Sequence, residues 1–209
     1  MKQFFLLFLA ILSYGISAQD LKLLPPQTSG GTSLREALEN RRSEREYTGA
    51  ALSEQMLSNL FHAICGINRK ASGKWTIPTA RNAKDLIVFA ATEQGIYRYE
   101  PENHFLKQIK QGDYRSKLGM QQEMFSKAAV VLIYASDLSK LDFCKTVEEK
   151  KFYAGVHAGF AMQNAGLFCA AEKLGNVVIG SYDRKNVPEL LNTGTELPIL
   201  MVQLVGILK

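Results

Sequence analysis

Residues 41–45 read Arg-Arg-Ser-Glu-Arg, at the C-terminal end of a short helix predicted to begin near Ser33. Three guanidinium groups and a hydroxyl within five residues form a compact set of donors for an anion. Arginine presents a planar fork that binds phosphate oxygens in a bidentate way and also hydrogen-bonds flat heterocycles. A solvated basic segment would equally suit the negative pole of the preceding helix. The cluster alone therefore leaves both interpretations open.

The sequence on either side predicts two helices. Ser33 is followed three residues later by Glu36, which is the pattern of a capping box and predicts a helix over 33–42. A second helix begins at Ser53, carries apolar residues along one face and ends at Gly66. The basic cluster thus lies where a helix gives way to a loop, a place where side chains can converge on a ligand.

The remainder of the chain alternates between strands and helices. The apolar runs 86–91 and 128–135 predict buried strands, and 96–99 with 105–109 predict a β-hairpin. The other predicted elements are a mixed helical stretch over 113–126, a long helix rich in small residues over 148–174, a strand at 177–179, a helical turn or two at 187–191 and a last strand at 199–208. This order predicts an α+β sandwich with a central, mostly antiparallel sheet flanked by helices.

The N-terminal residues predict export. Lys2 precedes an apolar run over 4–12 and small residues over 15–18, which is the plan of a secretory signal peptide cleaved after Ala18. The apolar run is too short to span a bilayer, so we expect no stable membrane insertion after cleavage. The expected product is periplasmic or secreted, with an extended lead-in over 19–32 and one domain over 33–209. Removal of Lys2 lowers the formal charge from +5 to +4.

Several classes of function are disfavoured. Outside residues 41–45 the basic residues are scattered among acidic ones, so a nucleic-acid groove is not indicated. The three histidines are far apart and no CxxC or HExxH occurs, which argues against a metal site. No dinucleotide-binding or Walker-type loop is present. The cysteines are Cys65, Cys144 and Cys169; the first and last fall in apolar helical patterns, and whether any two pair stays open.

Several motifs, in order, resemble those of the nitroreductase family of flavin mononucleotide (FMN) enzymes. Residues 41–47, RRSEREY, resemble the family's opening RRSxRxF signature, and residues 78–82, PTARN, resemble its PSxxN motif. Residues 163–167, QNAGL, resemble its QNxxL, and residues 175–183, GNVVIGSYD, resemble the stretch along the flavin edge. The likeness covers about residues 33–209. It implies a nitroreductase-like sandwich and FMN as cofactor.

Two further stretches resemble one subgroup of that family. Residues 66–69, GINR, and residues 95–101, GIYRYEP, are similar to the subgroup that includes the dehydrogenases making thiazole and oxazole rings in peptides. Other positions depart from the family pattern. Lys84 and Asp85 stand where Gln-Pro is frequent, and Val178 stands where Pro is common.

The resemblance implies roles for the basic cluster. Arg41 and Ser43 would hold the FMN phosphate through charge-assisted hydrogen bonds, with Lys209 as a further phosphate contact. Arg42 is the weaker candidate, since it could equally face solvent. Arg45 would face the pyrimidine end of the flavin, where a fixed cation stabilises the reduced ring and raises its reduction potential.

The resemblance also implies a homodimer. Thr79 and Asn82 would reach the flavin from the second subunit, because enzymes of this family build the site across a dimer interface. The backbone N–H of Gly180 would hydrogen-bond flavin N5, with Ser181 beside it. The flavin itself carries the chemistry, so no catalytic side chain is implied.

The implied activity is two-electron (hydride) transfer through flavin N5 in a ping-pong cycle. A small-molecule donor, NADH or NADPH being candidates, reduces the flavin, and a small-molecule acceptor then takes the electrons. An exported dehydrogenase acting on a peptide or heterocycle is the enzymatic alternative. A non-catalytic flavin-binding or interaction protein is the other, which the departures at Lys84, Asp85 and Val178 leave open.

Overall fold

The computed structural model describes residues 20–194 and 197–209, and its centre is an antiparallel sheet. Within these residues the sheet has seven strands in the order β1-β6-β5-β4-β7-β9-β8, and a separate ribbon pairs β2 with β3. The strands are β1 (Leu21–Lys22), β2 (Ile67–Arg69), β3 (Lys74–Trp75), β4 (Leu86–Ala91), β5 (Gly95–Glu100), β6 (Phe105–Gln111), β7 (Val130–Ser136), β8 (Leu174–Ile179) and β9 (Ile199–Ile207). All strand pairs of the sheet are antiparallel.

Helices cover both faces of the sheet. They are α1 (Leu34–Asn40), α2 (Glu54–Cys65), α3 (Gln122–Lys127), α4 (Val147–Ala171) and α5 (Asn186–Leu191). The predicted caps are present, because Ser33 Oγ accepts the N–H of Glu36 and Ser53 Oγ accepts the N–H of the third residue of α2. A full capping box of Thr146 and Glu149 begins α4.

The central strands are apolar throughout because both of their faces are buried. In β4 and β7 the even-numbered residues pack in one core with α2 and α4, and the odd-numbered residues pack in another with α3 and α5. Successive side chains of a strand point to opposite faces, so a strand between two helical layers needs apolar residues at every position. The structure is therefore a three-layer sandwich, which confirms the predicted α+β class with its antiparallel sheet.

Most predicted elements are confirmed, and three are wrong in detail. The helix predicted to Leu174 ends at Ala171, because Lys173 adopts a left-handed conformation (φ 59°) and Leu174 then begins β8 opposite Ile207. The stretch 113–126 is divided into a 3₁₀ turn and α3, separated at Gly119 by a bridge to the loop after β8. The ribbon β2–β3 forms where the sequence predicted a loop.

The predicted signal peptide, Met1 to Ala18, lies outside the described residues. Among the helices that are described, none combines the length and the apolar character needed to cross a membrane. In the same part of the chain Cys65, Cys144 and Cys169 are buried free thiols. Burial raises the pKa of Cys65 and Cys169 far above the usual thiol value, so both are unreactive at neutral pH.

His104 links the lead-in segment to the core. Its Nε2 lies 2.9 Å from Ser58 Oγ, whose hydroxyl donates to the carbonyl of Leu24 at 2.5 Å. The ring Nε2–H therefore donates to Ser58, and Nδ1 is left to accept the hydroxyl of Tyr99 at 2.8 Å. Burial, followed by repulsion from His62, holds the pKa of His104 below its ordinary value, so the folded chain favours the neutral ring.

The His104 contacts predict a loss of stability in mild acid. The unfolded chain takes up a proton near the ordinary histidine pKa of 6.5, whereas folded His104 resists protonation to a lower pH. We expect the free energy of unfolding to be highest above pH 6.5 and to fall as the pH drops below that value. Urea unfolding on both sides of that pH, with His104→Asn as control, measures this. Equal pH dependence in the variant, which has no titrating ring at position 104, would contradict the assignment.

Candidate functional site

Residues 41–48 lie across the ends of β8 and β9. The N–H of Glu44 donates to the carbonyl of Asn176 at 2.8 Å, and the N–H of Thr48 donates to the carbonyl of Ile207 at 2.9 Å. The first bond attaches the segment to β8 and the second attaches it to β9. The basic cluster is thus fixed by backbone hydrogen bonds to the sheet, although it belongs to no strand itself.

Tyr47 sets how closely this segment approaches the sheet. Its buried ring covers two glycines: a Cβ on Gly206 would lie 2.8 Å from Tyr47 Cδ1, and one on Gly175 would lie 3.0 Å from Cε1. At Gly175 a Cβ would also lie 2.5 Å from Leu208 Cδ2, so a larger residue at either glycine would displace its neighbours. The Tyr47 hydroxyl donates to the carbonyl of Glu44 at 2.6 Å. Burial, the main cause, raises the pKa of Tyr47 far above its usual value, which keeps this hydroxyl a donor.

The segment and the C-terminal residue enclose a polar cavity of about 430 Å³. The N–H of Lys209 donates to the carbonyl of Glu46 at 3.4 Å, which places the last residue beside the basic cluster. The lining residues are Arg42, Ser43, Glu44, Arg45, Glu46, Leu208 and Lys209. The structure therefore brings four of the predicted site residues together, namely Arg42, Ser43, Arg45 and Lys209.

The charges in and beside this cavity are unequal in availability, and Arg41 is not among the residues that line it. Arg42 is 78% exposed and forms an ion pair with Glu44, so its charge is already compensated. No described carboxylate forms an ion pair with Arg41, Arg45 or Lys209. Arg41 is half-buried, with its methylene groups against Gly166 of α4. The available cations and the exposed Ser43 hydroxyl suit an anionic group such as a phosphate.

Gly180 and Ser181 lie at the far end of the same strand pair. Leu174 pairs with Ile207 near the cavity, and β8 then runs to Ile179, after which Gly180 and Ser181 are exposed. Six residues of strand separate Leu174 from Gly180, which corresponds to roughly 20 Å. A ligand that touched both Lys209 and Gly180 would therefore have to be elongated.

Thr79 and Asn82 lie in a strained loop that does not line this cavity. The residues Arg81, Asn82 and Lys84 have φ values of 51°, 56° and 50°, in the left-handed region. Each such residue costs about 1–3 kcal/mol, and the conformation persists only when the surroundings impose it. Inside the loop the hydroxyl of Thr79 accepts the N–H of Lys84 at 3.1 Å. Strain of this kind concentrates at functional sites, which is consistent with a role for the PTARN motif.

Asp85, His157 and Ser136 form a buried network beneath that loop, and sequence reasoning missed it. Asp85 Oδ1 lies 2.6 Å from His157 Nδ1, and Oδ2 accepts the Ser136 hydroxyl at 2.7 Å. Burial raises the pKa of Asp85, but the hydrogen bonds from His157 and Ser136 outweigh burial and hold the pKa below its usual value. The other ring nitrogen of His157, Nε2, accepts the N–H of Ala80 at 2.9 Å.

A signal for this network was present in the sequence. Asp85 is a carboxylate directly before the apolar run of β4, and His157 is an imidazole among the small residues of α4. Two unpaired polar residues in apolar surroundings predict each other as partners, because buried polar groups are hydrogen-bonded. Among the described residues no group of three or more His, Cys, Asp or Glu side chains is placed to bind a metal ion.

A sequence model of the nitroreductase family matches residues 38–207, which include the basic segment, the strained loop and both strands beside the cavity. The chain belongs to the nitroreductase family. It is therefore an oxidoreductase, as the motifs implied. A nitroreductase by name from Methanocaldococcus jannaschii is 27% identical over 179 residues, which cover 81% of this chain and 88% of that protein.

Solved structures agree with the family. A nitroreductase structure from Ralstonia eutropha is 27% identical, covers 93% of this chain and 92% of its own, and has a TM-score of 0.84. The E. coli microcin synthetase complex McbBCD, with truncated pro-MccB17 bound, contains a chain that is 21% identical at a TM-score of 0.70, with coverages of 90% and 77%. A nitroreductase from Desulfovibrio desulfuricans in complex with FMN is 18% identical at a TM-score of 0.60, with coverages of 85% and 87%.

Proposed function

We propose that this chain is an FMN-dependent oxidoreductase that passes two electrons from a small-molecule donor to a small-molecule acceptor in a ping-pong cycle. The observation that carries the proposal is the cavity beside residues 42–46, where Arg45 and Lys209 are charged and free of ion pairs. The FMN complex of the Desulfovibrio desulfuricans relative supports the choice of cofactor.

The donor set fits the two ends of FMN. Arg41, Ser43 and Lys209 would hold the phosphate, and Arg45 would lie at the pyrimidine end of the ring. Because its charge is compensated by Glu44, Arg42 would contribute least to binding.

Gly180 would hold the reactive edge of the ring. It lies four residues of β8, roughly 13 Å, beyond Asn176, whose carbonyl accepts the N–H of Glu44, so the Arg45 side chain would have to extend along β8 for one ring to meet both residues. Bound FMN supplies two-electron chemistry at N5. Gly180 is exposed, so its backbone N–H is a candidate to hydrogen-bond that atom, and Ser181 lies next to it. Position 180 leaves room for a flat ring, because a Cβ built there would meet nothing nearer than Met201 Sδ at 3.8 Å.

The first test removes the two arginines that lack carboxylate partners. Arg41→Ala with Arg45→Ala should weaken FMN binding by about tenfold or more, because each change deletes a charge-assisted hydrogen bond. Flavin fluorescence quenching measures the dissociation constant. Arg35→Ala is the matched control, since it removes the same charge from the exposed surface of α1. Unchanged affinity in the double variant would overturn the assignment of this cavity.

The electron donor can be identified with the same purified protein. Anaerobic addition of NADH or NADPH should bleach the bound-flavin spectrum if a nicotinamide is the donor. If neither NADH nor NADPH reduces the bound flavin, and a peptide or heterocycle is oxidised in an oxygen-dependent reaction, the dehydrogenase is favoured. The fold shared with the microcin synthetase chain supports that second candidate. Wild-type protein that takes up no flavin would contradict both.

We also propose that the protein acts as a homodimer through the outer face of α4. The small residues of this helix divide between two faces: Ala154, Ala158, Ala161 and Ala165 are buried in the cores, and Gly155 and Gly159 face outward. A Cβ on either glycine would contact nothing within 4 Å. Phe152 and Phe160, which are 67% and 42% exposed, are on the same helix. Outward glycines four residues apart allow close helix approach, and exposed phenylalanines favour burial by a second copy.

A shared site predicts complementation between inactive chains. If Thr79 and Asn82 serve the cavity of the partner, a mixed dimer of an Arg41→Ala/Arg45→Ala chain with an Asn82→Ala chain holds one intact site and one doubly defective site. The isolated mixed dimer should bind about half as much FMN tightly as the wild-type dimer, whereas neither variant alone should. Co-expression with two affinity tags isolates the mixed dimer. No recovery in the isolated mixed dimer would contradict the shared site.

Export remains a proposal based on residues 1–18. Nicotinamide donors are scarce outside the cytoplasm, so an exported enzyme would either use another donor or act as the dehydrogenase described above. Expression in a bacterium with an intact secretion apparatus should yield a mature chain that begins at Gln19. Intact mass of the protein from the periplasm or medium measures this. Protein that retains Met1 and stays in the cytoplasm would contradict export.

A further inference from the structure

We propose that His157 is a positioning residue for residues 78–84, hereafter the PTARN loop, and that it acts through the backbone N–H of Ala80. The inference rests on the proposed function, because that loop carries Thr79 and Asn82, which would contact FMN bound to the partner. His157 itself is buried in α4 and would not touch the flavin.

The direction of each hydrogen bond determines which nitrogen of the His157 ring carries the proton. A backbone N–H can only donate, so His157 Nε2 must carry no proton where it meets Ala80 at 2.9 Å. The ring proton of the neutral form is then on Nδ1, where it donates to Asp85 at 2.6 Å. The Ser136 hydroxyl occupies the other oxygen of Asp85. Every polar atom of the imidazole therefore has one assigned partner, and its orientation is fixed.

The contact lies where the loop needs support. Ala80 directly precedes the left-handed residues Arg81 and Asn82, so its N–H is the last backbone donor before the strained stretch. On the far side, Lys140 Nζ donates to the carbonyl of Lys84 at 3.1 Å. The strained residues are thus held between a partly buried contact at Ala80 and an exposed one at Lys84. Of the two, the contact at Ala80 is the less exposed to water and restrains the loop more strongly.

Charged groups near the ring do not compete for its nitrogens. From β4 it faces Asp85, and on its own helix the ring of Tyr153 lies 6.1 Å away. The cations of the loop turn elsewhere, since Arg81 lies over Phe143 at 4.9 Å and Lys84 points toward the Trp75 ring at 5.7 Å.

Two amide variants separate the two halves of the imidazole. The side-chain amide of Gln reaches the position of Nε2, so His157→Gln keeps an acceptor for Ala80. The shorter amide of Asn reaches only the position of Nδ1, so His157→Asn keeps the Asp85 contact and leaves the Ala80 N–H without an acceptor. We expect His157→Asn to weaken FMN binding by about tenfold and His157→Gln by less than about threefold.

The readouts distinguish positioning from general stability. Melting temperatures are measured for both variants and for His104→Asn, which disrupts a half-buried histidine whose hydrogen bonds go to Ser58 and Tyr99. Positioning predicts that His104→Asn lowers the melting temperature without changing FMN affinity. FMN affinity that follows the melting temperature across all three variants, or equal affinity in His157→Asn and His157→Gln, would overturn the proposal.

Hydrogen exchange separates this proposal from that of the flavin function. The Ala80 amide should be protected in the wild type and in His157→Gln, and it should exchange at least about tenfold faster in His157→Asn, with no flavin present. If the amide exchanges as expected but the protein binds no FMN, the contact between His157 and Ala80 is supported and the proposed function is contradicted. Equal protection in both variants would remove the contact itself.

Discussion

The packing of Tyr47 against Gly175 and Gly206 is the constraint on which the candidate site depends. Those glycines belong to neighbouring strands, so the ring can settle only where β8 and β9 lie side by side. Once the ring is in place, the backbone bonds of Glu44 and Thr48 follow, and the basic residues before them are carried to the edge of the sheet. The anion site is therefore a consequence of sheet pairing. A substitution at either glycine would move the cations without touching them.

The PTARN loop, which the proposed dimer would bring to the site, depends on a different set of contacts. Left-handed residues in the PTARN loop raise its energy, and the buried histidine, aspartate and serine provide the fixed surface against which that loop is held. In this light the departure at Asp85 has a structural meaning. Where the family frequently has Gln-Pro, this chain has a carboxylate whose partners on β7 and α4 are present in the same structure. The hydrogen bonds from Ser136 and His157 compensate for the charge of Asp85. This departure from the family pattern is therefore no evidence against a functional site.

Sequence reasoning predicted what short-range patterns encode. The N-caps Ser33 and Ser53, the apolar runs of β4, β7 and β9 and the hairpin depend on neighbours within a few residues, so their signals are complete in the sequence. The grouping of Ser43 and Arg45 with Lys209 came from the family resemblance, since no local pattern joins residues so far apart. The end of α4 was missed because Lys173 enters the left-handed region without the glycine that usually marks such a point. The Asp85–His157 pair was missed because 72 residues separate its members.

The two halves of the site share one physical property: each keeps groups in an unfavourable state until a ligand is bound. Arg41, Arg45 and Lys209 are cations without carboxylate partners among the described residues, and the PTARN loop is held in strained backbone conformations. A bound phosphate would offset the repulsion in the first, and a flavin ring would use the fixed geometry of the second. Under the proposed function, such a site would favour a molecule with an anion at one end and a planar ring at the other.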